Sequence, residues 1–116
     1  MIRTELSLRL GNSPGALAGV CRLLSDERVN IVALALEAGG QLRLVVDNHV
    51  HGAGVLRERR HNVSERDVLV VDTAGSLNAL RLIADAGINL NYSYGAASAV
   101  ILGVDDAIRA SAAAGV

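Results

Sequence analysis

The sequence predicts an α+β fold of two small units in tandem, each an antiparallel sheet covered on one face by two helices. Three observations predict it. Over Thr4 to Leu10, Leu6, Leu8 and Leu10 alternate with Glu5, Ser7 and Arg9, the period of a half-buried strand. From Pro14 to Arg28 the residues Leu17, Val20, Cys21, Leu23 and Leu24 recur at helical spacing and form one apolar stripe. The stretch Asn12-Ser13-Pro14-Gly15-Ala16-Leu17, followed by Val29-Asn30-Ile31, then returns as Asp72-Thr73-Ala74-Gly75-Ser76-Leu77, followed by Ile88-Asn89-Leu90. The chain reads as a duplication.

Each element has a local reason. The first strand leads through Asn12–Leu17 into the first helix. Pro14 lacks an amide hydrogen and has a fixed φ that suits a first helical position, with Ser13 before it as the cap. Val29 to Leu36 is a second strand, Ala38-Gly39-Gly40 turns the chain, and Gln41 to Val46 returns as a third. Asp47 or Asn48 caps a second helix through about Arg60, with Val50, Val55 and Leu56 as its inner face. Asn62 to Val71 is extended again. That order, strand-helix-strand-strand-helix-strand, is the split βαβ, ferredoxin-like arrangement.

The second unit repeats it. Val68 to Val71 opens it, and a helix from Ala74 to Asp85 is expected to bury Leu77, Leu80 and Ile83 before Ala86-Gly87 ends it. Ile88 to Tyr94 and Ala97 to Val104 form the hairpin, and Asp105 or Asp106 caps a last helix to about Ala114. The spacing between matching landmarks falls from 60 (Gly15 to Gly75) to 59 (Asn30 to Asn89) to 58 (Val46 to Val104), so the second copy has lost one residue in its first helix and one in its hairpin. The expected division is 1–66 and 67–116. The second unit has no clear closing strand, so its first strand is expected to be an open edge that a second copy covers, giving a homodimer.

Composition narrows the function classes. Half of the 116 residues are hydrophobic but the only aromatics are Tyr92 and Tyr94, so the core is aliphatic. A net charge of −1 and the absence of Lys argue against nucleic acid, as does the lack of the stacking aromatics that RNA readers carry on such a sheet. The longest apolar run, Gly95 to Val104, is too short for a membrane span, and Met1 to Glu5 is no signal segment. The single Cys21 fits a reducing compartment, so the expectation is a cytoplasmic protein.

The loop Asn/Asp-x-Pro-Gly-x-Leu, with Val/Ile-Asn-Ile entering the next strand, resembles the ACT domain family. Together with Val63 to Val71 and Gly87 to Tyr94, it makes the whole chain similar to small stand-alone tandem-ACT proteins of bacteria. The resemblance implies a regulatory, allosteric module without catalysis. Such a module binds a small molecule, often an amino acid, at an interface between ACT units. Carried over, the ligand-binding positions are Asn12, Ser13, Pro14, Gly15, Ala16 and Leu17 with Asn30 beside them, and Asp72, Thr73, Gly75, Ser76 and Leu77 with Asn89. Ala74 stands where the proline is expected, which leaves the second loop less preorganised.

The residue types suit a zwitterion. Amides at a helix start seat a carboxylate, and Asn12, Asn30 or Asp72 accepts from an ammonium. The same residue types also cap helices for purely local reasons. The alternative function is therefore a structural module that dimerises or docks on a metabolic enzyme with no ligand of its own. Tyr92 and Tyr94 are expected in a core or interface. No cofactor and no metal are expected: His49 and His51 point to different sides of a helix, and no carboxylate or thiol cluster joins His61. Cys21 is expected as a buried, inert thiol, Gly52-Ala53-Gly54 is no dinucleotide loop, and no catalytic residue is expected.

Overall fold

Alternating strands and apolar-striped helices form in the expected order in the computed structural model, which describes residues 1–116. The elements are β1 (Ile2–Arg9), α1 (Ala16–Asp26), β2 (Ile31–Leu36), β3 (Gln41–Val46), α2 (His49–Glu58) and β4 (Ser64–Asp72). A 3-10 turn at Thr73–Gly75 follows, then α3 (Ser76–Asp85), β5 (Leu90–Gly95), β6 (Ala99–Val104) and α4 (Ala107–Ala114). The fold is α+β, built of ferredoxin-like, ACT-type repeats. Two compact units make it up: Thr4–Arg66, and Met1–Arg3 together with Asp67–Val116.

In the unit Thr4–Arg66 the antiparallel strand order is β2-β3-β1. Leu6 lies opposite Leu44 and Leu8 opposite Leu42, which puts all four on one face. Val20 and Leu24 of α1 and Ala53 and Leu56 of α2 close over that face. Each fully buried Leu contributes about 1.5–3 kcal/mol, so this aliphatic cluster is the main source of stability.

The other unit has the order β4-β6-β5, with Leu69 opposite Leu102. Ala79 and Ile83 of α3 and Ala107 and Ala110 of α4 cover it. Both units carry a bulge at the same place, between Ile31 and Ala33 and between Leu90 and Tyr92. Both second helices are capped one residue beyond the acid that follows the preceding strand. Asn48 Oδ1 accepts from His51 N at 3.1 Å, and Asp106 Oδ1 from Arg109 N at 3.0 Å.

Several expectations need correction. The residues Met1–Arg3, expected in the first unit, belong with the second. Met1 N donates to Val70 O at 3.0 Å and Met1 O accepts from Val70 N at 2.8 Å, the paired bonds of an antiparallel ladder. The edge expected to be open at Val68–Val71 is thus paired at Val70. Val50 is 71% exposed and Leu77 81% exposed, so neither is an inner residue. Gly52 and Ala53 are buried beside Val55 and Leu56 on α2, where a Cβ at Gly52 would lie 3.3 Å from Val46, and Ala79 is buried beside Ile83 on α3. No helix is long and apolar enough to cross a membrane.

Candidate functional site

The loop from β1 into α1 is a turn, not a proline-started helix. Ser13 O accepts from Ala16 N at 3.3 Å, Pro14 holds the second position, and Gly15 follows at φ 80, ψ 0. Those angles define a type II turn, which needs Pro or a similar residue and then Gly. The helix therefore begins at Ala16, with Gly15 as its left-handed cap residue and no side-chain cap; Ser13 contributes its carbonyl, not its hydroxyl. Gly19 N bonds Gly15 O at 2.9 Å, while the amides of Leu17 and Ala18 have no protein acceptor. Two donors are left at a helix start, where the dipole favours an anion.

Opposite this turn stands the β2–β3 hairpin. Leu10 N donates to Gly40 O at 2.8 Å, and Arg9 Nη1 bonds Gly39 O, so the loop and the hairpin are tied at their base and part above it. The space between them is an open cleft of 410 Å³, within the range of about 300–1,000 Å³ usual for small-molecule sites. Asn12, Ser13 and Ala16 line one wall, Leu36 and Glu37 to Gly40 the other, and Leu10 and Gly11 the floor. Its polar side chains are those of Asn12, Ser13 and Glu37. Neither Asn12 nor Ser13 has its side chain engaged by the protein, so both are available to a ligand.

Asn30 is not brought to this cleft. It precedes β2, whereas the cleft lies at the far end of that strand, about 20 Å away at roughly 3.3 Å per residue. There it is a staple: Asn30 N and Nδ2 donate to the two carboxylate oxygens of Asp47 at 3.0 and 2.9 Å, and Asp47 N returns a bond to Asn30 O at 3.0 Å. The donated bonds hold the Asp47 carboxyl below the usual carboxylate range, the Asn30 side chain contributing most.

The second copy builds this end of the sheet differently. By sheet register Asp72, opposite Ala99, matches Arg9, opposite Gln41, and not Asn12. Between strand and helix the second copy is three residues shorter, so β4 runs directly into the 3-10 turn at Thr73–Gly75. Gly75 sits at φ −96, Ser76 Oγ donates to Thr73 O at 2.8 Å, and Thr73 N donates to Ser98 O at 3.1 Å, which draws loop and hairpin together. Leu77 points to solvent beside Leu80, on a shallow apolar surface of α3. Asn89 accepts through its carbonyl from Asp105 N at 3.4 Å, but the side chain that staples Asp105 is that of Asn91, at 2.8 Å.

Residues the sequence reading left aside, Leu36 and Glu37 to Gly40, form half of the cleft. Strand direction was the signal that points to them: in a split βαβ unit β1 and β2 are parallel, so the loop after β1 and the hairpin after β2 share one end of the sheet. None of the remaining candidates is among the residues that line it. Tyr92 and Tyr94 stack with centroids 6.4 Å apart. His51 lies 3.6 Å from Glu27 on the surface, and no three His, Cys, Asp or Glu residues are placed to hold a metal ion. Cys21 is half-buried, not fully buried.

No family model matches the sequence, and neither does any curated protein. Solved structures do match in fold. Protein BT0572 from Bacteroides thetaiotaomicron superposes with a TM-score of 0.86 at 22% identity, covering 97% of this chain and 86% of that one. The regulatory subunit of aspartate kinase from Thermus thermophilus, in its ligand-free form, gives 0.71 at 12% identity over 98% and 91%. Aspartokinase III of E. coli, in complex with lysine and aspartate, gives 0.60 at 16% identity over 94% of this chain and 29% of that one. The chain has the fold of aspartate kinase regulatory domains.

Proposed function

We propose that this chain is a non-catalytic, cytoplasmic regulatory sensor that binds an amino acid in the cleft between the Asn12–Leu17 turn and the β2–β3 hairpin. One observation carries the reading: the first copy's loop, three residues longer than the second's, stands over a cleft lined by the unengaged side chains of Asn12 and Ser13. An amino acid's polar end finds hydrogen-bonding groups in the Asn12 and Ser13 side chains, and its side chain fits Leu10 and Leu36. No polar group in the cleft is paired as nucleophile and base, which favours binding over chemistry. The fold shared with aspartate kinase regulatory domains supports the same reading.

The homodimer belongs to this proposal on a different ground from the one expected. Within its unit β2 is an edge strand with Val32, Leu34 and Leu36 exposed by 41, 38 and 46%. The matching residues of β5 are Asn91, Ser93 and Gly95, so the fold does not require apolar side chains there. A long apolar edge is a site for strand addition, and Leu36 both edges the sheet and lines the cleft. A second copy paired along β2 stands beside the ligand and makes the site an interface between ACT-type units. A bare dimerisation module, or one docking on a metabolic enzyme, is the second reading that the same edge favours.

Thermal unfolding against the twenty amino acids separates the two readings. A concentration-dependent rise for one ligand is expected; a flat panel from a folded sample leaves the dimerisation module. In light scattering the wild type is expected as a dimer and the variant Leu34→Ser/Leu36→Gly as a monomer. A wild-type monomer at micromolar concentration removes the interface from the proposal.

A further inference from the structure

We infer that Glu37 selects ligands carrying a free α-ammonium, and that Arg43, anchored on the buried Glu5, positions it; this rests on the reading of the cleft as an amino-acid site. Glu37 lines the hairpin wall. Its Oε1 accepts from Arg43 Nε at 3.1 Å, and its Oε2 has no protein partner. Arg43 Nη1 reaches on to Glu5 Oε1 at 3.3 Å. Glu5, 1% exposed, is the one buried charged side chain of the chain. A buried carboxylate holds its counter-ion firmly because desolvation makes the unpaired state costly. Arg43 is thereby pinned at one end and presents Glu37 at the other in a fixed orientation.

The second copy is an internal control. By register Arg43 matches Ile101, and Glu5, which precedes Leu6, matches Val68, which precedes Leu69. Glu37 matches Ala96, and the two make the same hairpin bond: Glu37 N to Gln41 O at 2.9 Å, Ala96 N to Ala99 O at 2.8 Å. The turn therefore does not need the carboxylate. Val68 and Ile101 are both fully buried, so the sheet also forms without charge at those positions. Apolar replacement of a buried ion pair is commonly neutral or stabilising. Three charged residues stand together beside the open loop and are replaced together, by apolar ones, in the copy whose loop is closed.

The chemistry follows from the two walls. Asn12 and Ser13 stand on one wall, and from the other Glu37 Oε2 accepts a charge-assisted hydrogen bond from the ammonium. N-acetylation, or replacement of the amino group by a keto group, removes the cation and with it the charge-assisted hydrogen bond to Glu37.

The test compares each L-amino acid that binds with its N-acetyl and 2-oxo acid analogues, by calorimetry on the wild type, Glu37→Gln and Glu5→Val/Arg43→Ile. The wild type is expected to prefer the free amino acid by about tenfold or more, the worth of one charged hydrogen bond. Glu37→Gln keeps an acceptor for Arg43 and is expected to lose that preference without a change in unliganded melting temperature. The double variant, which installs the second copy's residues, is expected to stay folded and to lose part of the preference, a ratio that stability alone does not move. Undiminished preference in Glu37→Gln overturns the selection role and leaves the cleft reading intact. Undiminished preference in the double variant overturns the positioning role. A folded wild type that binds no amino acid overturns the cleft reading and the selection role together.

Discussion

The two copies end the same strand in different ways. After Arg9 the first copy spends six residues before α1 and closes them with a type II turn at Gly15, φ 80. After Asp72 the second spends three, in a 3-10 turn with Gly75 at φ −96. Both loops carry a glycine at the matching sequence position, yet only one glycine is demanded by its backbone. Around that difference the side chains have diverged together: Glu5, Arg43, Glu37 and an apolar β2 edge on one side, Val68, Ile101, Ala96 and a polar β5 edge on the other. Duplication has kept the scaffold and confined the opening to one copy.

The largest test of that divergence lies in the sheet. A Cβ at Gly103 would fall 2.3–2.5 Å from three ring atoms of Tyr92, while the matching residues of the first copy, Val45 and Ala33, share the space as medium and small. Gly103→Val is expected to cost about 3 kcal/mol through overpacking. Adding Tyr92→Ala should recover part of that loss, with a coupling of about 1–3 kcal/mol in a double-mutant cycle measured by urea unfolding. Additive losses would mean that the ring does not set the glycine, and that the two faces diverged independently.

The glycines of the two loops come next. Gly15→Ala places a side chain in the left-handed region and is expected to destabilise by about 1–2 kcal/mol, although nothing lies within 4 Å to clash with it. Gly75→Ala meets neither strain nor a neighbour and is expected to stabilise by about 0.4–1 kcal/mol, by restricting the unfolded chain. Opposite signs in thermal melts are the expected outcome; equal effects would erase the distinction between the loops.

Much of the fold was legible because its signals are local. Alternation at Leu6, Leu8 and Leu10, the stripe through Val20 and Leu24, and short polar residues before α2 and α4 each act within a few residues. The lost residues of the second copy were legible too: α1 has 11 residues and α3 has 10. What failed was alignment across space. Matching Asn12 with Asp72 by their glycines hid a three-residue difference that only sheet register exposes. Asn30 was placed beside the loop by motif, yet the direction of β2 carries it to the other end. Leu77 lay on an apolar period, but α3 turns its small residue Ala79 inward instead. Glu37, between the expected strand and the expected turn, carried no signal, because its neighbours across the cleft are far away in sequence.

The smallest expected effect concerns the staples at the closed end of each sheet. Asp47 accepts two bonds from Asn30, one of them from the backbone, whereas the side chain of Asn91 gives Asp105 a single bond. The Asp47 carboxyl is lowered chiefly by the Asn30 side chain. A carboxylate whose folded value is depressed adds stability that is present above its unfolded value, near 3.8, and lost as pH falls through the folded value. Asn30→Ala removes the largest cause and leaves the backbone bond. Its melting temperature should therefore lie below the wild type's at pH 7, with the gap narrowing from about pH 5 to about pH 3 as Asp47 takes up its proton in both proteins. Exposure keeps the effect to a few degrees at most, and salt should shrink it further. A gap that stays constant down to pH 3 would mean that the Asn30 side chain stabilises by something other than the Asp47 charge, and no gap at any pH would leave the staple to its backbone bonds alone.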